Sequence, residues 1–237
     1  IKNSDTGGID YWIICDAVNC YMFFSGDNGA LYRNQTTKAE FPKGFDPDNT
    51  VIVMQTSNKY DLYEACNVYK LKGENQYLLI VEALGNGRYF RSWTSDRLDG
   101  CWTARADTES APFAGYANVT GAEWSNDGIS HGEMLRDNPD ETMTIEVSRG
   151  SRYLFQGRTK AGKTADGKGY KPSLCLTVKA FATKDGDESL TDALLRMAKG
   201  ASANFTVTSK ITIAPDLGPV NTPVTVTGTG FPAYSSS

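Results

Sequence analysis

The feature that most limits what this chain can become is its punctuation. Between residues 11 and 181, short runs of apolar, β-branched and aromatic residues alternate with polar turns, and helical periodicity is scarce. Residues 11–15 and 20–24 read as a hairpin, the turn Ser25-Gly26-Asp27-Asn28-Gly29 follows, and residues 30–35 supply a third strand. A second group runs through 51–55, 65–70, 77–83 and 88–95, with Gly85-Asn86-Gly87 ahead of its last member. A third is assembled from 102–104, 132–136, 143–146 and 153–156, with 174–181 as a further strand. Such a chain is all-β. Successive four-stranded meanders suggest the blades of a propeller, in which small sheets bury both faces and leave only short edges exposed. A β-sandwich is the competing architecture, and the recurring order of hairpin, polar turn and hairpin favours blades.

After Ala182 the pattern changes. Asp185-Gly186-Asp187-Glu188-Ser189 leads into an amphipathic stretch over 190–199 that reads as one short helix, capped by Ser189 or Asp187 and ended by Gly200. Residues 205–213 then alternate as a strand. The run from Pro215 to Phe231 is similar to the opening of an Ig-like domain of the IPT/TIG type. The expected organisation is a partial propeller over 1–181, a helix-strand linker over 182–213 and the beginning of an Ig-like domain over 214–237. Both ends read as cuts.

Composition narrows the partners. With 237 residues and 40% apolar content the chain buries a full core. A net charge of −4 excludes the clustered cationic face that nucleic acid or an anionic membrane requires, and no apolar run is long enough to span a bilayer. Aromatic side chains make up 11% of the residues, enough to supply flat stacking surfaces for sugar rings as well as core volume. The five cysteines, Cys15, Cys20, Cys66, Cys101 and Cys175, form no zinc pattern. Cys15 and Cys20 flank the turn-like Asp16-Ala17-Val18-Asn19 and read either as a bridge across a hairpin or as two small buried residues. Three N-glycosylation sequons begin at Asn34, Asn118 and Asn204.

Several blocks, in order, carry a resemblance. They are Asp5-Thr6-Gly7-Gly8-Ile9-Asp10, Tyr21-Met22-Phe23-Phe24-Ser25-Gly26-Asp27-Asn28-Gly29, Tyr63-Glu64-Ala65-Cys66-Asn67-Val68-Tyr69-Lys70, Gly87-Arg88-Tyr89-Phe90-Arg91-Ser92, Pro112-Phe113-Ala114-Gly115, Ile129-Ser130-His131-Gly132 and Phe155-Gln156-Gly157-Arg158. Together they resemble the arabinofuranosidases of glycoside hydrolase family 62 over about three quarters of the chain. Members of that family are five-bladed propellers, and the resemblance implies that about three blades are present here.

The resemblance also assigns roles. Glu64, flanked by apolar Leu62 and Tyr63 and by a strand, matches the general acid; partial burial would keep such an acid protonated. Without the family it reads as a solvated rim residue. Asp10 matches the aspartate that orients the acid and touches the arabinose, where the residues alone suggest an Asp capping a turn. Ile9 beside it, Arg88 in its Gly-rich turn and Tyr170 in Gly169-Tyr170-Lys171-Pro172 are candidates for substrate binding. The family's Asp-Tyr-Asn upstream of that last block is replaced by the Lys- and Gly-rich 159–168. His131, the single histidine, matches the residue that helps hold a largely hydrated calcium ion in the central channel. The family's general base, which activates the attacking water with inversion, is expected upstream of Ile1.

The leading expectation is therefore an inverting α-L-arabinofuranosidase acting on arabinoxylan or arabinan, secreted to the extracellular space and monomeric when full length. This exact chain is expected to show little or no hydrolysis. The rival is a carbohydrate-binding propeller that holds pentose without cleaving it, and the third reading is an adhesin-like extracellular module.

Overall fold

A computed structural model of the chain describes residues 7–115, 118, 129–136, 139–146 and 151–157, together with strands at Thr177–Phe181, Ser202–Thr206, Lys210–Ala214 and Thr225–Thr229. Strands dominate. β1 (Ile9–Cys15), β2 (Asn19–Ser25), β3 (Ala30–Thr37) and β4 (Val51–Gln55) make the first antiparallel sheet, in that order. The second contains β5 (Glu64–Leu71), β6 (Tyr77–Leu84), β7 (Arg88–Ser95), β8 (Thr103–Thr108) and the short β9 (Ala111–Pro112). β10 (Ile129–Met134), β12 (Ser151–Gly157), β13 (Thr177–Phe181) and β14 (Ser202–Thr206) form the third. Between β10 and β12, β11 (Thr144–Ile145) joins the second sheet by pairing parallel with β5. β15 (Lys210–Ala214) pairs with β16 (Thr225–Thr229) in a separate two-stranded sheet. A 3₁₀ turn, Pro47–Asn49, is capped by Asp46.

The nearly all-β, propeller-like arrangement agrees with the expectation, but the allocation of strands does not. Val51–Gln55 closes the first sheet, with Ala30 opposite Gln55, instead of opening the second. The strand expected at 102–104 is the fourth of the second sheet. The one expected at 143–146 leaves the third sheet altogether, because Lys70 and Lys72 donate backbone N–H to the carbonyls of Thr142 and Ile145. The strand expected over 205–213 is two, β14 and β15. The helix expected at 190–199 lies outside the described residues.

Burial explains the layering. β6 is apolar on both sides because it is covered on both. Leu79 and Val81 pack with Val68, Trp93 and the first-sheet residues Ile14, Tyr21, Phe23 and Leu31. Leu78 and Ile80 pack with Tyr69, Phe90 and the third-sheet residues Ile129, Tyr153 and Phe155. Trp12 touches both clusters and donates its indole N–H to the Val68 carbonyl at 2.8 Å.

Cys15 and Cys20 face each other across the first hairpin and form a disulfide. Asp16 tightens its turn by accepting from the N–H groups of Val18 and Asn19. Cys66 is buried and free, and Cys101 exposed and free. Two of the three sequon asparagines are sealed: Asn34 donates to the Asp46 carbonyl and Thr50 hydroxyl, and Asn118 to the carbonyls of Pro112 and Phe113.

The three sheets share one irregularity. Their first strands, β1, β5 and β10, each break register near the start, between Ile9 and Trp12, Glu64 and Asn67, and Ser130 and Gly132. Within each break a non-glycine residue has positive φ: Asp10 at 52°, Ala65 at 52° and His131 at 35°. Such residues cost about 1–3 kcal/mol each and persist only where their surroundings hold them. Bulges of this kind re-aim side chains out of the two-residue alternation.

The third bulge is packed without slack. A Cβ at Gly132 would overlap the ring of Tyr153, which Phe90 and Phe113 hold edge-on at 5.2 Å each. Gly132→Ala is expected to destabilise the fold by about 1–3 kcal/mol through overpacking, read as a lowered urea midpoint.

Candidate active site

The bulged strand ends converge. Asp10 Oδ2 accepts the backbone N–H of Ala65 at 2.9 Å, so the first sheet holds the peptide that follows Glu64. Beneath it, the Cys66 thiol contacts the Asp10 carbonyl at 3.6 Å, and burial pushes that thiol far above its ordinary range. Across from Asp10, Nε2 of His131 lies 3.5 Å from Oδ1.

Glu82 stands at the centre. Leu78, Ile80 and Glu82 share one face of β6 by alternation, and that face meets β10. The carboxylate is fully buried and accepts the His131 backbone N–H at 2.9 Å and the Ser130 hydroxyl at 3.1 Å. Arg88, the first residue of β7, brings its guanidinium against both Glu64 and Glu82. The same group lies 5.2 Å over the ring of Tyr63, and its Nη1 is 3.5 Å from the Ser130 hydroxyl. Burial pushes Glu82 up to about 8 from an ordinary 4.5, with the charge of Asp10 acting in the same direction. The His131 and Ser130 hydrogen bonds pull the other way.

Of the residues singled out from sequence, Asp10, Glu64, Arg88 and His131 meet in this cluster. Glu64 opens β5 and is largely buried, as its apolar neighbours suggest, yet its carboxylate meets Arg88. Arg88 is no loose hairpin cation, since its side chain is 20% exposed and engaged. Ile9 is partly buried at the head of β1, opposite Ser25. Tyr170 lies outside the described residues. Glu82 and Ser130 were not singled out; the available signal was one acid inside the apolar run Leu78-Leu79-Ile80-Val81-Glu82-Ala83-Leu84.

Ligand atoms of Glu64, Glu82 and His131 lie within 4.8 Å of one another, a spacing compatible with a cation. The Arg88 guanidinium already stands between the two glutamates and contacts both, so those carboxyl groups do not fit a metal shared between them. The open side of His131 is different: its ring is 48% exposed and faces the Asp10 carboxylate, which suits a mostly hydrated ion.

The sequence profile of glycosyl hydrolase family 62 matches residues 1–177. The chain belongs to that family. This family 62 chain is 46% identical over 185 residues to alpha-L-arabinofuranosidase C of Cellvibrio japonicus (strain Ueda107), covering 73% of the chain and 28% of that protein. The catalytic domain of a Coprinopsis cinerea family 62 α-L-arabinofuranosidase superposes with a TM-score of 0.63 at 46% identity, over 69% of this chain and 52% of that one. A family 62 hydrolase in complex with xylotriose gives 0.63 at 44% identity, over 69% and 53%. An α-L-arabinofuranosidase from Podospora anserina in complex with cellotriose gives 0.62 at 41%, over 69% and 51%. The family 62 chain thus spans about half the length of these solved structures.

The buried acid has a measurable signature. A carboxyl whose folded value is raised contributes stability that is full below about pH 4.5 and is lost as the pH rises through about 8. The thermal midpoint is expected to fall between these values, and to fall less steeply in Glu82→Gln. Equal slopes would remove the assignment.

Proposed function

We propose that the protein carrying this chain is an inverting α-L-arabinofuranosidase that removes arabinofuranosyl side groups from arabinoxylan or arabinan. The observation that carries the reading is the hydrogen bond from the Ala65 N–H to Asp10, which fixes the strand start bearing Glu64. In this reading Glu64 gives its proton to the departing glycosidic oxygen as the bond to the anomeric carbon breaks. Water attacks from the opposite face, activated by the family's aspartate base, which the resemblance assigns outside these 237 residues. Asp10 positions the acid, and Ile9, Arg88 and Tyr170 contact the sugar. Five blades in the whole propeller, about three of them here, belong to the same proposal. So does secretion, which the Cys15–Cys20 disulfide supports.

A second reading, binding without cleavage, draws on the Arg88 contact, which Glu64 has to leave before it can donate a proton. Arabinose release from wheat arabinoxylan separates the two. Glu64→Gln is expected to lower it by about 10²–10⁴-fold, the usual contribution of a general acid. No release by the unaltered protein, with retained polymer binding, would favour the second reading.

Calcium is proposed as a structural ion held by His131 with water completing its shell. Chelation is expected to lower the thermal midpoint of the unaltered protein and to leave that of His131→Ala unmoved.

A further inference from the structure

The segment between β4 and β5, residues 56–63, carries an exposed aromatic ring to the edge of the cluster. The ladder between β5 and β6 continues past Glu64: Tyr63 donates its N–H to the Glu82 carbonyl, and Leu84 donates to the Tyr60 carbonyl, each at 2.9 Å. Tyr63 and Tyr60 therefore run outward beside the end of β6. The rings follow the backbone. Arg88, which holds Glu64, lies over Tyr63, and the centroid of Tyr63 is 5.7 Å from that of Tyr60 at 54°. Tyr60 is 39% exposed.

The segment is braced from several sides. Asn58 accepts from the Tyr60 N–H through its side chain and from the Asp61 N–H through its carbonyl, and its amide donates to the Asp61 carboxylate at 3.1 Å. The Thr56 hydroxyl donates to the Asn58 carbonyl at 2.8 Å, and Arg91 donates to the Asp61 carbonyl at 2.7 Å. Gly29, at φ 81°, lets the segment close onto the β2–β3 turn, for a Cβ there would stand 2.8 Å from the Lys59 Cα. An exposed ring held by this many contacts is ordered before any ligand arrives, which lowers the cost of binding to it.

We infer that Tyr60 is a stacking platform for a backbone sugar of the polymer, next to the sugar whose side group reaches Glu64. The inference rests on the arabinofuranosidase reading for the identity of the polymer. A pentopyranose ring lays its axial C–H bonds on an aromatic face while its hydroxyls stay at the rim. The exposed Lys59 now has its Nζ 5.1 Å over the Tyr60 ring; a stacking sugar displaces this flexible side chain from the face, and its ammonium can then donate to hydroxyls at the rim.

The test is affinity electrophoresis of the 237-residue chain in gels containing wheat arabinoxylan. Tyr60→Ala is expected to weaken retention about tenfold in affinity, or about 1.4 kcal/mol, and Tyr60→Phe to stay within about twofold of the unaltered chain. Circular dichroism confirms that both variants fold. Unchanged retention of Tyr60→Ala overturns the platform, and so does absence of retention by the unaltered chain. Arabinose release from 4-nitrophenyl α-L-arabinofuranoside by the protein carrying this chain is followed in parallel. Retention lost in Tyr60→Ala, with no release by the unaltered protein, supports the platform while removing the hydrolase reading.

Discussion

A carboxylate with no exposure to water has to be answered by its neighbours, and Glu82 is answered by two sheets at once. A buried, unpaired charge costs far more than most single contacts return. The Ser130 hydroxyl and the His131 N–H reach it from β10, and Arg88 from β7. Asp10 does the same between the first and second sheets through the Ala65 N–H. Two acids thus stitch three sheets together at the end where the inner strands begin. Their acceptors also hold the backbone that positive φ would otherwise disfavour at Ala65 and His131.

That arrangement explains which parts of the site could be read from sequence. Asp10, Glu64 and His131 sit at strand starts inside recognisable blocks, so their convergence was legible. Arg88 was legible as a candidate polar contact in a Gly-rich turn, but its contact with both glutamates depends on the pairing of β6 with β7. Glu82 was hidden for a related reason. Whether an acid in an apolar strand faces water or a neighbouring sheet depends on what covers each face, and the cover on this face comes from residues some fifty positions away in β10.

The same distinction applies to the fold. Local alternation found most strands of the first three groups, and turn residues separated them. It could not say which sheet Val51–Gln55 joins, because a 3₁₀ turn and a long connection precede it within one sheet. Nor could it foresee the sheet of β11, the strand expected at 143–146, because its parallel partner β5 lies more than seventy residues earlier. Family resemblance contributed the roles expected of the residues; the register contributed their geometry.

β11 and the residues before it lie at the far ends of the inner strands. Cys15 donates its N–H to the Glu141 carbonyl, Lys70 to that of Thr142 and Lys72 to that of Ile145. Lys38 adds an ion pair with Glu141 at 2.6 Å. β1 and β5 are therefore clasped at their feet by one crossing segment and left irregular at their heads, where the acids stand. The two ends can change independently: a substitution that tightens the clasp reaches the acids only through the length of a strand, so the foundation need not move when the residues at the heads do.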